Sequence, residues 1–215
     1  MFTNTLSAKA KKSLASLGSK QILPHDTYLA GGSALALHFG HRISVDFDFF
    51  TPSEFEAKEI VNSLKKIGRF KIDRSAKDTL LGYFEGIKLS LFRYSYPLLF
   101  KTTALDSIMI ASPHDIAAMK IAAIMDRGTK KDFIDVYFLD KKGISLEDCL
   151  KYYNKKYKAL ANNIYSIITS LSYFIDVQET EMPRMITRVS WGKVQSFFES
   201  EAIRLAKKYF PKNKL

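Results

Sequence analysis

Two nearby stretches, LAGGSALALH at 29–38 and SVDFDFF at 44–50, decide which fold this chain can form. In the first stretch two glycines and a serine interrupt an apolar run, and in the second Asp46 and Asp48 alternate with apolar residues. Successive side chains of a strand point to opposite faces. Both aspartates should therefore share one face of a strand, while Phe47 and Phe49 enter the core.

A divalent cation between Asp46 and Asp48 is the simplest reason for placing them in an apolar strand. Buried carboxylates are costly without a partner, and two of them close together repel each other. Mg²⁺ is commonly held by one or two carboxylates, with water and substrate phosphates completing its shell. The pattern therefore predicts a site for Mg²⁺ or Mn²⁺, although a pair of aspartates on a strand is more often a solvated face.

The glycines predict a phosphate site next to the two carboxylates. Gly31 and Gly32 allow a tight turn and a close approach of the backbone to a ligand. Ser33 is predicted to cap a short helix over 33–39 that Gly40 ends. The free amides at such a helix N-terminus bind phosphate well. A phosphate site beside a metal site indicates nucleotide chemistry.

Hydrophobic periodicity predicts a mixed first half and a helical second half. The predicted strands are 27–30, 45–50, 69–74, 79–85, 87–94 and SIMIAS at 107–112. The predicted helices are 5–17, 33–39, 53–67, 113–127, 130–140, 145–156, 157–174 and 190–209. This change of architecture, without a flexible linker, predicts two domains, 1–110 and 111–215.

Composition narrows the classes of protein that the chain can belong to. Its 215 residues are 47% hydrophobic and carry a formal net charge of +11. A basic surface favours a polyanionic partner such as nucleic acid, and solubility is the alternative explanation. Cys149 is the only cysteine, and we find no apolar run long enough for a membrane span. We therefore expect a cytoplasmic protein without a membrane partner.

A second group of charges lies in MKIAAIMDRGTKKDFIDVYFL at 119–139. Lys120 and Arg127 are seven residues apart, and Asp132 and Asp135 are three apart, so each pair shares one helix face. Two cations suit a triphosphate, and the Asp132 carboxylate can orient one of them. The alternative is a solvated charge stripe stabilised by pairing along the helix.

The segment KYYNKKYK at 151–158 interleaves four lysines with three tyrosines. Lysines can contact a phosphate backbone while aromatic rings stack on bases, which is typical of surfaces for single-stranded nucleic acid. A solvated helix face with half-buried tyrosines explains the same pattern equally well.

The segment GGSALALHFGHRISVDFDFF at 31–50 resembles the first motif of the DNA polymerase beta-like nucleotidyltransferase superfamily. More narrowly, it resembles the AbiEii/AbiGii-type nucleotidyltransferase toxins. The segment 119–139 is similar to the lysine-containing helix of that family, and LSYFIDVQETEMPRM and WGKVQSFFE look like its C-terminal helices. The resemblance spans roughly residues 25–200.

The resemblance implies an α+β fold, with a small mixed β-sheet nucleotidyltransferase core flanked by helices and a C-terminal helical bundle. It implies transfer of a nucleoside monophosphate from a nucleoside triphosphate (NTP) to an acceptor, with RNA such as the 3′ end of tRNA as the expected acceptor. Such proteins serve as toxins in toxin–antitoxin or phage-defence systems, where a separate antitoxin restrains them. The implied catalytic residues are Asp46, Asp48, Lys120 and Asp132, and the implied nucleotide-binding residues are Gly31, Gly32, Ser33, Ser44 and Arg127.

One position departs from the superfamily pattern. Its enzymes usually carry a third carboxylate on a later strand, and Ser90 stands where we expect it. Glu85 and Asp73 are nearby acids that could replace it. The departure leaves open a degenerate, non-catalytic nucleotide- or RNA-binding module. A transferase acting on a small, aminoglycoside-like acceptor is a further alternative.

Overall fold

Seven strands form one mixed sheet in the computed structural model of the chain, which describes residues 1–211. The strands are β1 Tyr28–Ala30, β2 Phe47–Thr51, β3 Phe70–Ala76, β4 Thr79–Phe84, β5 Ile87–Arg93, β6 Thr103–Leu105 and β7 Ile108–Ile110. Their order across the sheet is β3-β4-β5-β2-β1-β7-β6. The sheet belongs to a unit that spans Met1–Ser112, and a second unit begins at Pro113.

The strand β2 lies in the middle of the sheet, between an antiparallel and a parallel neighbour. It runs antiparallel to β1, where Asp48 pairs with Ala30, and parallel to β5, where Asp48 pairs with Ser90. Phe47 and Phe49 are fully buried, whereas Asp46 and Asp48 are half-buried. This alternation follows the pattern predicted for the stretch at 44–50, because successive side chains of a pleated strand point to opposite faces.

Three α-helices accompany the sheet within the first unit, and a 3₁₀ turn at Thr3–Thr5 precedes them. They are α1 Ala8–Lys20, α2 Gly31–Phe39 and α3 Ala57–Ile67. The prediction that Ser33 caps the second of these helices is wrong, because α2 begins at Gly31 and its N-cap is Ala30. Ser33 instead lies within the first turn of α2. Gly40 ends the helix in the left-handed conformation, as its sequence position predicts.

Six helices make up most of the described part of the second unit. Its helices are α4 Pro113–Asp126, α5 Lys130–Lys141, α6 Leu146–Tyr157, α7 Leu160–Leu171, α8 Ile175–Gln178 and α9 Trp191–Tyr209. Aromatic rings fill part of its core: the ring centroid of Phe133 lies 5.4 Å from that of Phe174 and 4.9 Å from that of Phe198. Within residues 1–211, no helix is both long and apolar enough to cross a membrane.

Candidate active site

Three backbone segments converge at the start of β2. The Ser33 hydroxyl in α2 donates a hydrogen bond to the main-chain carbonyl of Asp46 and lies 2.9 Å from the Ser44 hydroxyl. The Ser44 amide in turn donates to the carbonyl of Thr5. Since Ser33 and Ser44 are both buried, these contacts fix the backbone from which the Asp46 carboxylate projects.

Gly31 places the N-terminus of α2 against the Asp48 carboxylate. Its φ is +66°, and a Cβ at this position would lie only 2.7 Å from Asp48 Oδ2. The first amides of a helix lack internal partners, and the helix dipole makes this end positive. The arrangement therefore brings unpaired backbone donors and a carboxylate together at one point.

The chemistry of Asp46 and Asp48 fits a divalent cation. Carboxylate oxygens are the ligands that Mg²⁺ and Mn²⁺ prefer, and the missing side chain of Gly31 keeps space open beside Asp48. Among residues 1–211 no group of three or more His, Cys, Asp or Glu side chains is suited to hold a metal ion. Two carboxylates would leave the remaining positions to water and phosphate, which is the usual coordination of Mg²⁺ in phosphate chemistry.

Sequence reasoning did not identify Arg42, which is buried between α2 and β2. Its Nη1 atom donates to the carbonyl of Ile43 at 3.2 Å and to the Ser44 hydroxyl at 3.3 Å. A Cβ on Gly32 would overlap the Arg42 guanidinium. Gly32 is therefore needed to accommodate the buried Arg42, whether or not Gly32 itself contacts a ligand. The position of Arg42 in the sequence, between a glycine turn and an acidic strand, could have indicated that it belongs to the site.

We expect Gly31→Ala to destabilise the fold more than Gly143→Ala. Both glycines have positive φ, +66° and +89°, but a Cβ at Gly143 meets nothing within 4 Å. Each alanine should cost about 1–2 kcal/mol for its left-handed backbone. Contact with Asp48 should add roughly 1–3 kcal/mol at Gly31 alone. Urea unfolding of both variants measures the difference, and equal losses would contradict close packing against Asp48.

The register places Ser90 directly beside Asp48 on the neighbouring strand β5. Adjacent residues on paired strands point to the same face, so Ser90 stands where a third carboxylate would face the aspartates. The two substitutes considered from the sequence lie elsewhere. Glu85, in the turn between β4 and β5, accepts a hydrogen bond from the Arg69 amide, and Asp73 lies on the edge strand β3.

In the second unit, Lys120 joins two buried carboxylates. Its Nζ atom lies 2.8 Å from Asp132 Oδ1 and 2.7 Å from Asp135 Oδ2. The lysine side chain is 7% exposed and the two aspartates are 1% and 0% exposed. Lys120 comes from α4 and both aspartates come from α5, so the triad links these helices. The alternative of a solvated stripe is wrong for these three residues.

Asp132 also receives contacts from the connection between α4 and α5. Its second oxygen, Oδ2, accepts hydrogen bonds from the Thr129 hydroxyl at 2.8 Å and from Arg127 Nε at 3.4 Å. Burial raises the pKa of Asp132, but the charges of Lys120 and Arg127 and the hydrogen bonds from Lys120 and Thr129 outweigh it. The net effect lowers the pKa to about 2. The Arg127 side chain is 64% exposed, so its guanidinium is accessible while Asp132 orients it.

Asp132 should make stability depend on pH in the acid range. Its folded pKa is about 2, below the ordinary value of 3.8, so its contribution is complete above pH 4 and is lost as pH falls through 2. Asp132→Asn should therefore cost about 2 kcal/mol at neutral pH and much less near pH 2. Urea unfolding across this range tests it, with Asp126→Asn at an exposed position as the control. A pH-independent loss would contradict the assignment.

One lysine of the lysine- and tyrosine-rich segment at 151–158 lies in the core. Lys156 Nζ is 2.9 Å from Asp115 Oδ1, and both side chains are 0% exposed. The interpretation of Lys156 as part of a nucleic-acid surface is wrong for this reason. Lys151, Lys155 and Lys158 are exposed, so only these three remain candidates for such a surface.

The structure thus groups the predicted site residues within each unit. One group contains Gly31, Gly32, Ser33, Ser44, Asp46 and Asp48, and the other contains Lys120, Arg127 and Asp132. The first group combines a helix N-terminus with paired carboxylates. The second combines a buried ion triad with an exposed arginine.

Comparisons with known proteins identify one relative of similar sequence and several solved structures of similar fold. A protein of Aquifex aeolicus (strain VF5), the uncharacterized protein aq_aa25, is 40% identical over 196 residues, which cover 89% of this chain and 91% of that protein. The crystal structure of JHP933 from Helicobacter pylori has a similar fold, with a TM-score of 0.57 at 18% identity, covering 94% of each chain.

A second solved structure with a similar fold is the nucleotidyltransferase toxin MenT4 (Rv2826c) from Mycobacterium tuberculosis H37Rv. Its TM-score is 0.54 at 13% identity, and the match covers 93% of this chain and 89% of that one. The family model described as "Nucleotidyl transferase AbiEii toxin, Type IV TA system" matches residues 13–206. The chain therefore belongs to the AbiEii nucleotidyltransferase toxin family, as its sequence motifs predict.

Proposed function

We propose that this protein transfers a nucleoside monophosphate from an NTP to an RNA acceptor and releases pyrophosphate. The observation that carries the proposal is the meeting of the α2 N-terminus with the Asp48 carboxylate at Gly31. Unpaired amides suit a phosphate, and paired carboxylates suit a divalent cation that binds the same phosphate. In the cytoplasm the protein would act as the toxin of a toxin–antitoxin or phage-defence system, restrained by a separate antitoxin.

The first unit supplies the metal and phosphate sites in this proposal. Asp46 and Asp48 would hold Mg²⁺ or Mn²⁺, which would neutralise charge on the phosphate. The amides of Gly31, Gly32 and Ser33 bind the phosphates of the nucleotide. Ser44 keeps the Ser33 hydroxyl and the Asp46 backbone in place, which makes it a positioning residue. Catalysis of this kind depends mainly on positioning and electrostatics.

The resemblance to the family assigns Arg127 and Lys120 of the second unit to nucleotide binding. Arg127 offers an exposed guanidinium, and Asp132 fixes its orientation through Oδ2. Lys120 neutralises Asp132 and Asp135 and keeps the position of Asp132 defined. In this assignment, Arg127 contacts the nucleotide, while Lys120 and Asp132 act through their common ion triad.

The acceptor is assigned from charge. A net charge of +11 favours a polyanion and disfavours a cationic small molecule. Incubation of the protein with each α-labelled NTP, total RNA and Mg²⁺ or Mn²⁺ should label RNA, and a chelator should abolish the labelling. Separation of tRNA from other RNA then identifies the acceptor class. Absence of labelled RNA with all four nucleotides would reject the proposal.

Ser90 favours a second candidate function, a binding module that does not catalyse transfer. It replaces a carboxylate at the position beside Asp48, and such a carboxylate would serve as general base or third metal ligand. This candidate predicts that NTP or RNA binds, as calorimetry would detect, while no label is transferred under any condition. Detectable transfer by wild type that is lost in an Asp46 variant excludes it.

A further inference from the structure

A basic cleft in the first unit lies outside the residues assigned so far. It has a volume of about 390 Å³ and is lined by Lys9, Lys12, Ser13 and Ser16 of α1, together with Phe84, Glu85 and the end of α3. The four α1 residues are spaced at i, i+3, i+4 and i+7, so they share one helix face.

The cleft lies at the same end of the sheet as the two aspartates, but on the face that carries Phe47 and Phe49. β4 ends at Phe84 and β5 begins at Ile87, while Leu89 in β5 pairs with Phe47 at the start of β2. A Cβ on Gly86, in the turn between β4 and β5, would lie 3.1 Å from Lys9 Nζ. Gly86 is displaced from Asp46 by about two residues along the strand direction and by one strand across the sheet. The backbones of these two residues are therefore roughly 8 Å apart.

The side chains of the cleft present hydrogen-bond donors to a ligand. Ser13 is 3% exposed and lines the cleft, yet its hydroxyl has no hydrogen-bond partner within residues 1–211. Lys9 and Lys12 are exposed, and over the same described range neither forms an ion pair. The Ser13 hydroxyl opens onto the cleft, where it can donate a hydrogen bond to a ligand or to water.

Glu85, the acidic residue that lines the cleft, already contacts Arg69. Glu85 Oε1 accepts a hydrogen bond of 2.6 Å from the Arg69 amide, and its Oε2 atom lies 3.8 Å from Arg69 Nη2. The charge of Glu85 is therefore partly balanced by Arg69 and leaves the charges of Lys9 and Lys12 dominant. Two ammonium groups beside a hydroxyl donor suit the oxygens of a phosphate group.

We propose that this cleft binds a backbone phosphate of the polynucleotide acceptor, next to the end that reacts. The proposal rests on the proposed function, because it assumes that the acceptor enters at the aspartate end of the sheet. Exposed basic side chains also occur where α3 ends, β3 begins and β5 begins: Lys65, Lys66, Arg69 and Lys88. Such a series suits consecutive phosphates of a chain better than a single small anion.

The test compares two double variants that remove equal charge. Lys9→Gln/Lys12→Gln changes the cleft, whereas Lys20→Gln/Lys58→Gln changes exposed lysines at the last turn of α1 and the first turn of α3. The probe is a fluorescent single-stranded RNA, and its affinity is measured by anisotropy at several salt concentrations. We expect the cleft variant to bind about tenfold more weakly than the control variant. Its salt slope should fall by about 0.7, the value for one phosphate contact on a single strand.

A third variant, Ser13→Ala, separates hydrogen bonding from charge. It removes the hydroxyl without changing the net charge, so RNA affinity should fall roughly threefold while the salt slope stays unchanged. NTP affinity, measured by calorimetry, should be unchanged in all three variants.

The outcomes distinguish this proposal from the proposed function. Equal RNA affinity of the cleft and control variants would overturn the cleft proposal, while transfer to RNA by wild type would leave the proposed function standing. If the cleft variant lost NTP affinity as well as RNA affinity, the cleft would bind a free triphosphate. That result would overturn its assignment to a backbone phosphate of RNA. No RNA binding and no transfer by wild type would overturn both.

Discussion

Asp46→Asn and Asp48→Asn should each reduce nucleotidyl transfer by roughly 10²- to 10³-fold, as expected for the loss of one preorganised electrostatic group. An asparagine keeps the size of the side chain but loses its charge, so the cation that neutralises the transferring phosphate binds poorly. The hydrogen bond from Ser33 to the main-chain carbonyl of Asp46 does not depend on either carboxylate charge. We therefore expect both variants to lose metal binding and to keep the backbone geometry of the site.

The assay is transfer of labelled nucleotide to RNA at saturating NTP, together with Mn²⁺ affinity from electron paramagnetic resonance. Asp73→Asn, on the exposed edge strand β3, is the control and should keep wild-type activity. Unfolding in urea should show no loss of stability, because removing one of two repelling carboxylates relieves repulsion. Full transfer activity in either Asp46→Asn or Asp48→Asn would exclude the metal assignment.

Much of the fold could be predicted from local sequence patterns. Alternation around Phe47 and Phe49 identified the central strand. Gly40 marked the end of α2, because glycine readily adopts the positive φ that the structure shows there. Residues 103–105 gave no comparable signal, since β6 is a short edge strand of exposed or half-buried residues paired only with β7. The start of α2 was misplaced because a glycine pair usually marks a turn, whereas here Gly31 already belongs to the helix.

The parts of the candidate sites that could not be predicted depend on contacts between distant residues. The burial of Arg42 requires the space left by Gly32, ten positions earlier, and no local pattern encodes that space. Lys156 resembles its exposed neighbour Lys155 in the sequence, and its burial depends on Asp115, which is 41 positions away. Lysine is almost never fully buried without a partner. The sequence alone could not show whether Lys156 is exposed or buried, because its burial depends on the packing of α6 on α4.

Lys156→Met should destabilise the protein by about 3–5 kcal/mol, the usual cost of removing one partner from a buried ion pair. The Asp115 carboxylate is 0% exposed and lies 2.9 Å from Lys156 Nζ, so the variant leaves a buried negative charge without this cation. Lys155→Met changes the preceding residue of α6, which is exposed, and should alter stability by less than about 0.5 kcal/mol. Urea unfolding at neutral pH measures both variants.

A second substitution at Asp115 tests whether the loss comes from the orphaned charge or from packing. Lys156→Met/Asp115→Leu replaces the ion pair by apolar side chains and should recover most of the stability, because such replacements are often neutral or stabilising. A double variant as unstable as Lys156→Met would attribute the loss to packing of the lysine stem. In either case Lys156 must be left unchanged when the exposed lysines Lys151, Lys155 and Lys158 are tested for RNA binding. A loss of affinity in a variant that includes Lys156 would report partial unfolding of α6 against α4 instead of a lost phosphate contact.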